Sequence, residues 1–275
     1  MNIFITGATG QLGNFAIDYL KQFAPQAHLY GLARTKEAAQ RLEARGVSAR
    51  MGDFADKLSL VNAFAGMERL LFISIPQANL QGNVVAAAKE VGIDFIAYTS
   101  INGIDYPKNG LEYNHRQTEA LIAESGIKHT FLRNSWYLEM ELGSFKAAVE
   151  TGKYDYLSQG KISYATRQEY AEAAARVIAT AAFGEVVELG RDAFTHPDLA
   201  HALEAATGKN LKITTVDPEI YQADLAAFSE TNFELVMQEY VKNGNNGEDA
   251  VTKTDFERVL GHPLVPLADA IKSIL

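Results

Sequence analysis

The chain has 275 residues, 47% hydrophobic and 21% charged, with 25 Lys and Arg against 34 Asp and Glu for a formal charge of −9. That balance argues against a nucleic-acid partner, whose phosphates are neutralised by clustered basic side chains. Cysteine is absent, which excludes disulfides, thiolate nucleophiles and cysteine-ligated metals together, so any redox chemistry belongs to a bound cofactor. The start of the chain, Met1 to Gly7, lacks the basic and apolar regions of a signal peptide. No stretch approaches the ~20 apolar residues of a membrane span. The expectation is a cytoplasmic protein without a membrane partner, a monomer or homodimer.

Short β-branched runs alternate with amphipathic segments through the first half, the pattern of βαβ units in a parallel sheet. The predicted strands are Asn2–Thr6, His28–Leu32, Val47–Met51, Leu70–Ser74, Phe95–Thr99 and Thr130–Leu132. Between the first two, Leu12, Phe15, Ala16, Tyr19, Leu20 and Phe23 fall on one helical stripe. Further on, Gln168–Thr180 reads as a helix, Glu185–Leu189 as a strand, Pro197–Ala206 as a helix and Lys212–Val216 as a strand. Residues 219–239 read as a solvated helical face with Phe228, Phe233, Leu235 and Met237 as partial core. Residues 242–247 (KNGNNG) read as a flexible loop. The fold class is therefore α/β, a Rossmann-like doubly wound parallel sheet. Residues 1–135 form the cofactor-binding domain, and a smaller, mostly helical substrate part, 136–275, packs on the sheet.

Gly7-Ala8-Thr9-Gly10-Gln11-Leu12-Gly13 lies between the first strand and the first helix. Gly7 permits the tight turn, Gly10 lets main-chain N–H groups approach a pyrophosphate, and Gly13 allows close helix packing. The helix N-terminus then faces the phosphates. Where NAD-selective folds place an acidic residue at the end of the second strand, this chain has Ala33-Arg34-Thr35. A guanidinium there holds a 2′-phosphate by charge-assisted hydrogen bonds, which favours NADPH.

Taken together, several segments resemble the NmrA-like atypical short-chain dehydrogenase/reductases, and within them the type 2 NADPH:quinone oxidoreductases. They are the glycine loop, Arg34, Gly52-Asp53-Phe54, Leu70 to Ser74, Ile96 to Ser100, His115 to Glu119, Leu132 to Tyr137, Gly160 to Arg167 and Leu260 to Pro263. The resemblance spans nearly the whole chain. It implies hydride transfer from NADPH to a quinone-like small molecule, with Phe54 flanking the adenine and Ser74 and Ile75 lying along the cofactor. Asn134, Ser135, Trp136, Tyr137, Leu138 and Glu139 would line the nicotinamide and substrate end. Asp53 would orient the adenine side or serve as a turn residue. Trp136 and Tyr137 follow the sixth strand, where flat side chains can stack on a quinone or pack a core. Tyr164 and Arg167 are further substrate-side candidates. Met140 stands where the family motif often has Asn.

Short-chain reductases of carbonyls use a Tyr with a Lys four residues later, and this chain has no such pair. Tyr113 is followed at that spacing by Gln117 and Tyr98 by Asn102. By the resemblance, His115 takes the place of the Lys. Reducing an aliphatic ketone needs an acid to protonate the alkoxide. Reducing a quinone leaves a phenolate-type oxygen whose conjugate acid has a pKa of roughly 10, so one hydrogen-bond donor or water suffices. His115 is the one titratable candidate for a catalytic donor, as a neutral ring bonding the cofactor ribose or the acceptor; the alternative is a solvent-facing histidine at a helix start. Asn114 and Gln117 have capping-box spacing, which predicts His115 in the first turn of a helix, kept neutral by the helix dipole. The six histidines include no HExxH and no pair at i, i+4, so no metal is expected. A reading from a different class is an NADP(H) sensor that acts through a partner protein without turnover.

Overall fold

The computed structural model describes residues 1–229, 231 and 233–275. The apolar runs of the first half become strands β1 (Asn2–Ile5), β2 (His28–Ala33), β3 (Ser48–Met51), β4 (Arg69–Phe72), β5 (Phe95–Ile101) and β6 (Lys128–Asn134). A seventh strand, Val186–Leu189, joins beside β6. The order across the sheet is that strand, β6, β5, β4, β1, β2, β3, with every pairing parallel. The order reverses between β1 and β4, the switch point at whose carboxyl side such sheets bind ligands.

Strand side chains alternate between the two covered faces. Ile3, Ile5, Phe95 and Ala97 enter one core with helices α1 (Gln11–Phe23) and α2 (Lys36–Ala44). Phe4, Ile96 and Tyr98 enter the other with α3 (Lys57–Phe64), α4 (Ala78–Val91) and α5 (Leu111–Ser125). All seven positions of β5 are buried, as a strand sandwiched between helices requires.

After β6 the chain forms α6 (Leu142–Thr151), then returns to the sheet with α7 (Arg167–Thr180) and the seventh strand. The alanines at 171, 173, 174 and 175 let α7 pack closely on α1. The division at 135/136 therefore marks where the chain first leaves the sheet, and the second part contributes a strand to it. A separate core gathers Trp136, Leu138, Phe145, Tyr154, Tyr164, Leu199 and Met237. Of residues 242–247, read as a flexible loop, Lys242 and Asn243 end the helix Phe233–Asn243, Lys242 to Asn245 are exposed, and Asn246 turns inward. Asn246 is buried and its Oδ1 accepts from Glu248 N at 3.2 Å, with the left-handed Gly247 between them in the chain. Among the described residues no helix is long and apolar enough to cross a membrane.

Candidate active site

The glycine loop is shaped by its main chain. Gly7 has φ +59° and its carbonyl accepts from Gly10 N at 2.9 Å. A Cβ on Gly13 would lie 2.8 Å from Ala8 Cα, inside contact distance, so only glycine lets α1 start this close to the turn. Gly10 caps α1 without a side-chain hydrogen bond, and the first turn holds no acidic residue. The first-turn N–H groups are left facing outward, a ready anion site. Ala8 and Leu12 are buried, so they offer a ligand main chain only, while Thr9, Gly10 and Gln11 reach the surface. Across the switch point Thr6 Oγ1 donates to Ile73 O at 3.1 Å, fixing this loop to the one after β4.

At the end of β2, Arg34 is exposed and makes no hydrogen bond or ion pair to any described residue. Asp53, after β3, accepts from Ala55 N at 2.8 Å, the geometry of a turn residue. Phe54 packs edge-on against Phe72 and is 8% exposed, which leaves only its rim to meet a ligand.

Beyond the cradle, a cavity of about 410 Å³ opens over the carboxyl ends of β4, β5 and β6. Of the residues picked from sequence it brings together Ser74, Ile75, His115, Asn134, Ser135, Trp136, Tyr137, Glu139 and Arg167. Two picks fall elsewhere. The Leu138 side chain is fully buried in the core, because the chain turns there into a short 3-10 helix (Leu138–Glu141) and points it inward. Tyr164 is also fully buried, and its hydroxyl donates to Glu141 Oε1 at 2.7 Å, so it packs behind the cavity.

Strand β4 ends at Phe72, two residues earlier than predicted. Ser74 N instead donates to Thr99 Oγ1 at 2.8 Å, turning the chain over the cavity. Helix α5 begins at Leu111 after the left-handed Gly110, so Asn114 and His115 lie in its second turn and the capping box does not form. Asn114 Nδ2 donates to Ile75 O and Pro76 O at 3.0 and 2.8 Å, clamping the post-β4 loop. His115 Nδ1 lies 2.9 Å from Tyr98 Oη. Burial pushes the imidazole pKa down to about 4, against a smaller opposing pull from the Glu119 carboxylate. The ring is neutral, and burial rather than the helix dipole is the cause. Tyr98 and His115 sit on different elements, so a search at fixed sequence spacing misses the pair.

The far wall is built from side chains held by other side chains. Trp136 Nε1 donates to Glu248 Oε1 at 3.0 Å, and the same carboxylate takes Lys108 Nζ at 2.6 Å, Tyr240 Oη at 2.7 Å and Ser163 N at 2.9 Å. The Arg167 guanidinium lies 4.7 Å from the Tyr137 ring centroid and 3.6 Å from Glu139. Glu139 also accepts from Arg167 N, capping α7, and burial raises its pKa. Sequence reasoning missed Thr99, Leu111, Asn114 and Glu234 on this surface, noted Met140 only as a departure from the family motif and read Phe233 as partial core. Phe233 and Glu234 come from the segment read as a solvated face. Glu234 is buried there, accepting from Gly143 N at 3.1 Å. Of the residues read there as partial core, Met237 is buried, whereas Phe233 is 57% exposed and only borders the cavity. Among the described residues no cluster of three or more His, Asp or Glu could hold a metal.

Two observations bear on a dinucleotide at this edge. The cradle presents unpaired N–H groups beside an unengaged guanidinium. Asn134 lines the cavity, and its buried Oδ1 receives no well-formed hydrogen bond from any described residue. Residues 1–256 match the sequence profile of the NmrA-like family. Quinone oxidoreductase 2 of Escherichia coli (strain K12) is 37% identical over 281 residues, 99% of this chain and 98% of that one. The crystal structure of the NADPH-dependent quinone oxidoreductase of Escherichia coli complexed with NADPH superposes with a TM-score of 0.86 at 37% identity, covering 99% of each chain. Triphenylmethane reductase of Citrobacter sp., complexed with NADP(H), superposes with a TM-score of 0.88 at 30% identity, covering 100% of each chain.

Proposed function

The chain belongs to the NmrA-like family, and from that membership we propose that it is an NADPH-dependent oxidoreductase delivering hydride to a quinone or similar conjugated aromatic acceptor. The observation that carries the reading is the continuity of one edge. An uncapped helix start beside a free Arg34 leads directly to a cavity ending in Trp136 and Tyr137. The residues present fit the cofactor. The main chain from Gly7 to Gly13 would hold the pyrophosphate and Arg34 the 2′-phosphate. Ser74, Ile75, Asn134 and Tyr137, which line the cavity beyond the cradle, would hold the nicotinamide end. Bound there, NADPH supplies a hydride.

The chain's own contribution is positioning and exclusion of water. Trp136, Met140, Phe233 and Ile101 give the acceptor an apolar seat. His115 offers hydrogen bonding at neutral charge. That suffices for an oxygen whose conjugate acid has a pKa of about 10, and it does not suffice for an alkoxide, which confines the reaction to conjugated acceptors. The test follows NADPH absorbance with and without a simple benzoquinone. Acceptor-dependent consumption is expected. Tight NADPH binding with no acceptor-dependent rate overturns the enzyme reading in favour of a sensor acting through a partner protein.

A further inference from the structure

Behind His115 lies a buried polar cluster whose hydrogen-bond polarity can be read outward from the main chain. Ile75 N donates to Gln81 Oε1 at 3.1 Å, which identifies Nε2 as the donor end of that amide. Nε2 donates to Asn114 Oδ1 and Thr118 Oγ1, each at 2.9 Å, and lies 3.3 Å from Tyr98 Oη. The Thr118 hydroxyl gives its proton to Asn114 O at 3.0 Å. Among the described residues, the well-aligned hydrogen-bond neighbours of Tyr98 Oη are Gln81 Nε2 and His115 Nδ1, and the Thr118 hydroxyl, already committed to Asn114 O and Gln81 Nε2, is a poorer contact. The first is a donor and cannot accept. Nδ1 is the well-aligned acceptor, so the phenol donates to it in preference to the Thr118 oxygen, and burial, which pushes the phenol pKa upward, keeps that proton in place. An imidazole whose Nδ1 accepts carries its own proton on Nε2. That nitrogen makes no hydrogen bond to a described residue, while the ring lines the cavity.

We propose that Tyr98 is a positioning residue whose hydroxyl locks His115 in the Nε2–H tautomer, so that the imidazole meets the cavity as an uncharged donor to an oxygen of the bound acceptor. The identity of that oxygen rests on the quinone-reducing reading, and the tautomer does not. Without the phenol proton, Nδ1 would compete for the ring hydrogen, and the Nε2 lone pair would turn against the acceptor oxygen. Gln81 matters at one remove, since a donor at its Nε2 is what turns the phenol toward the histidine.

A long-range proton–nitrogen spectrum of the full chain, labelled with nitrogen-15 histidine, reads the tautomer directly and needs no variant. The expected result is a protonated Nε2 and a bare Nδ1 for His115 at neutral pH. A protonated Nδ1, or an imidazolium, overturns the proposal. In Tyr98→Phe the two tautomers should mix, and kcat for benzoquinone should fall about tenfold, the worth of one hydrogen bond. KM for NADPH should stay within about twofold. In a His115→Gln background, whose amide donates whatever its neighbours do, Tyr98→Phe should have no further effect on kcat. Independent, multiplying losses in that double variant would overturn the coupling, as would an unchanged tautomer in Tyr98→Phe. A protein that consumes no NADPH with any quinone would defeat the functional reading alone, and the spectra would still decide the tautomer.

Discussion

From Gly7 to Gly13 the surface is main chain, ending in an uncapped helix start, and the side chains of Ala8 and Leu12 point into the core. Around His115 the surface is made of side chains, each held by another: Tyr98 by Gln81, Asn114 by the post-β4 loop, Trp136 by Glu248. The two regions share one edge of one sheet. The difference lies in where their precision comes from. A backbone site is as stable as the strand and helix it joins, whereas a side-chain site depends on every partner that orients it.

The sharpest way to break this contrast is Lys108→Met. It leaves the buried Glu248 carboxylate without its opposite charge, for which a loss of about 3–5 kcal/mol is expected in denaturant unfolding. NADPH affinity of the molecules that remain folded should be unchanged, and a matching loss there would mean the two regions are not independent. Next in size is Arg34→Ala. Losing a charge-assisted contact worth about 1.5–3 kcal/mol weakens NADPH by roughly 10- to 100-fold. NADH should be nearly unaffected, and calorimetry showing equal losses would reject the 2′-phosphate assignment. The smallest effect is on pH. His115 has its pKa pushed down to about 4 from an ordinary 6.5. Between these values the unfolded chain binds the extra proton, so stability is fully present above 6.5 and is lost as pH falls toward 4. From about pH 7 to about pH 5.5 the loss attributable to this group is about 1 kcal/mol. His115→Gln should flatten that part of the profile, and an unflattened profile would deny the ring its buried, neutral state.

The cradle was legible in the sequence because glycine spacing is itself the geometry. Gly7, Gly10 and Gly13 stand where the turn needs a positive φ, an open approach and a missing Cβ. The strands were legible for a similar reason, since double-sided burial shows as unbroken apolar runs. Their ends were less so. Ser74 leaves the fourth strand for a hydrogen bond to Thr99, a partner 25 residues away that no local pattern announces. The start of α5 was misplaced because Asn114 and Gln117 have the spacing of a cap, while Gly110 sets the boundary. The cavity was half legible. Residues following a strand end could be placed, but Tyr98 facing His115, Glu234 turned inward and Tyr164 packed behind the wall arise from tertiary contact alone. Leu138 shows the limit from the other side. A run of neighbours assigned together splits once the chain turns, and alternate members face the core.

The four donors converging on Glu248 have a consequence for anyone reshaping the cavity of this protein. They come from the loop before α5, the strand after β6, the approach to α7 and the helix Phe233–Asn243. An indole swapped out of that knot takes one of four donors from a buried carboxylate and leaves a hole beside it, so a library that randomises Trp136 would lose stability in most of its members. Met140 and Phe233 touch the same space with no polar obligation to anything, and there diversity can be introduced without loosening the frame.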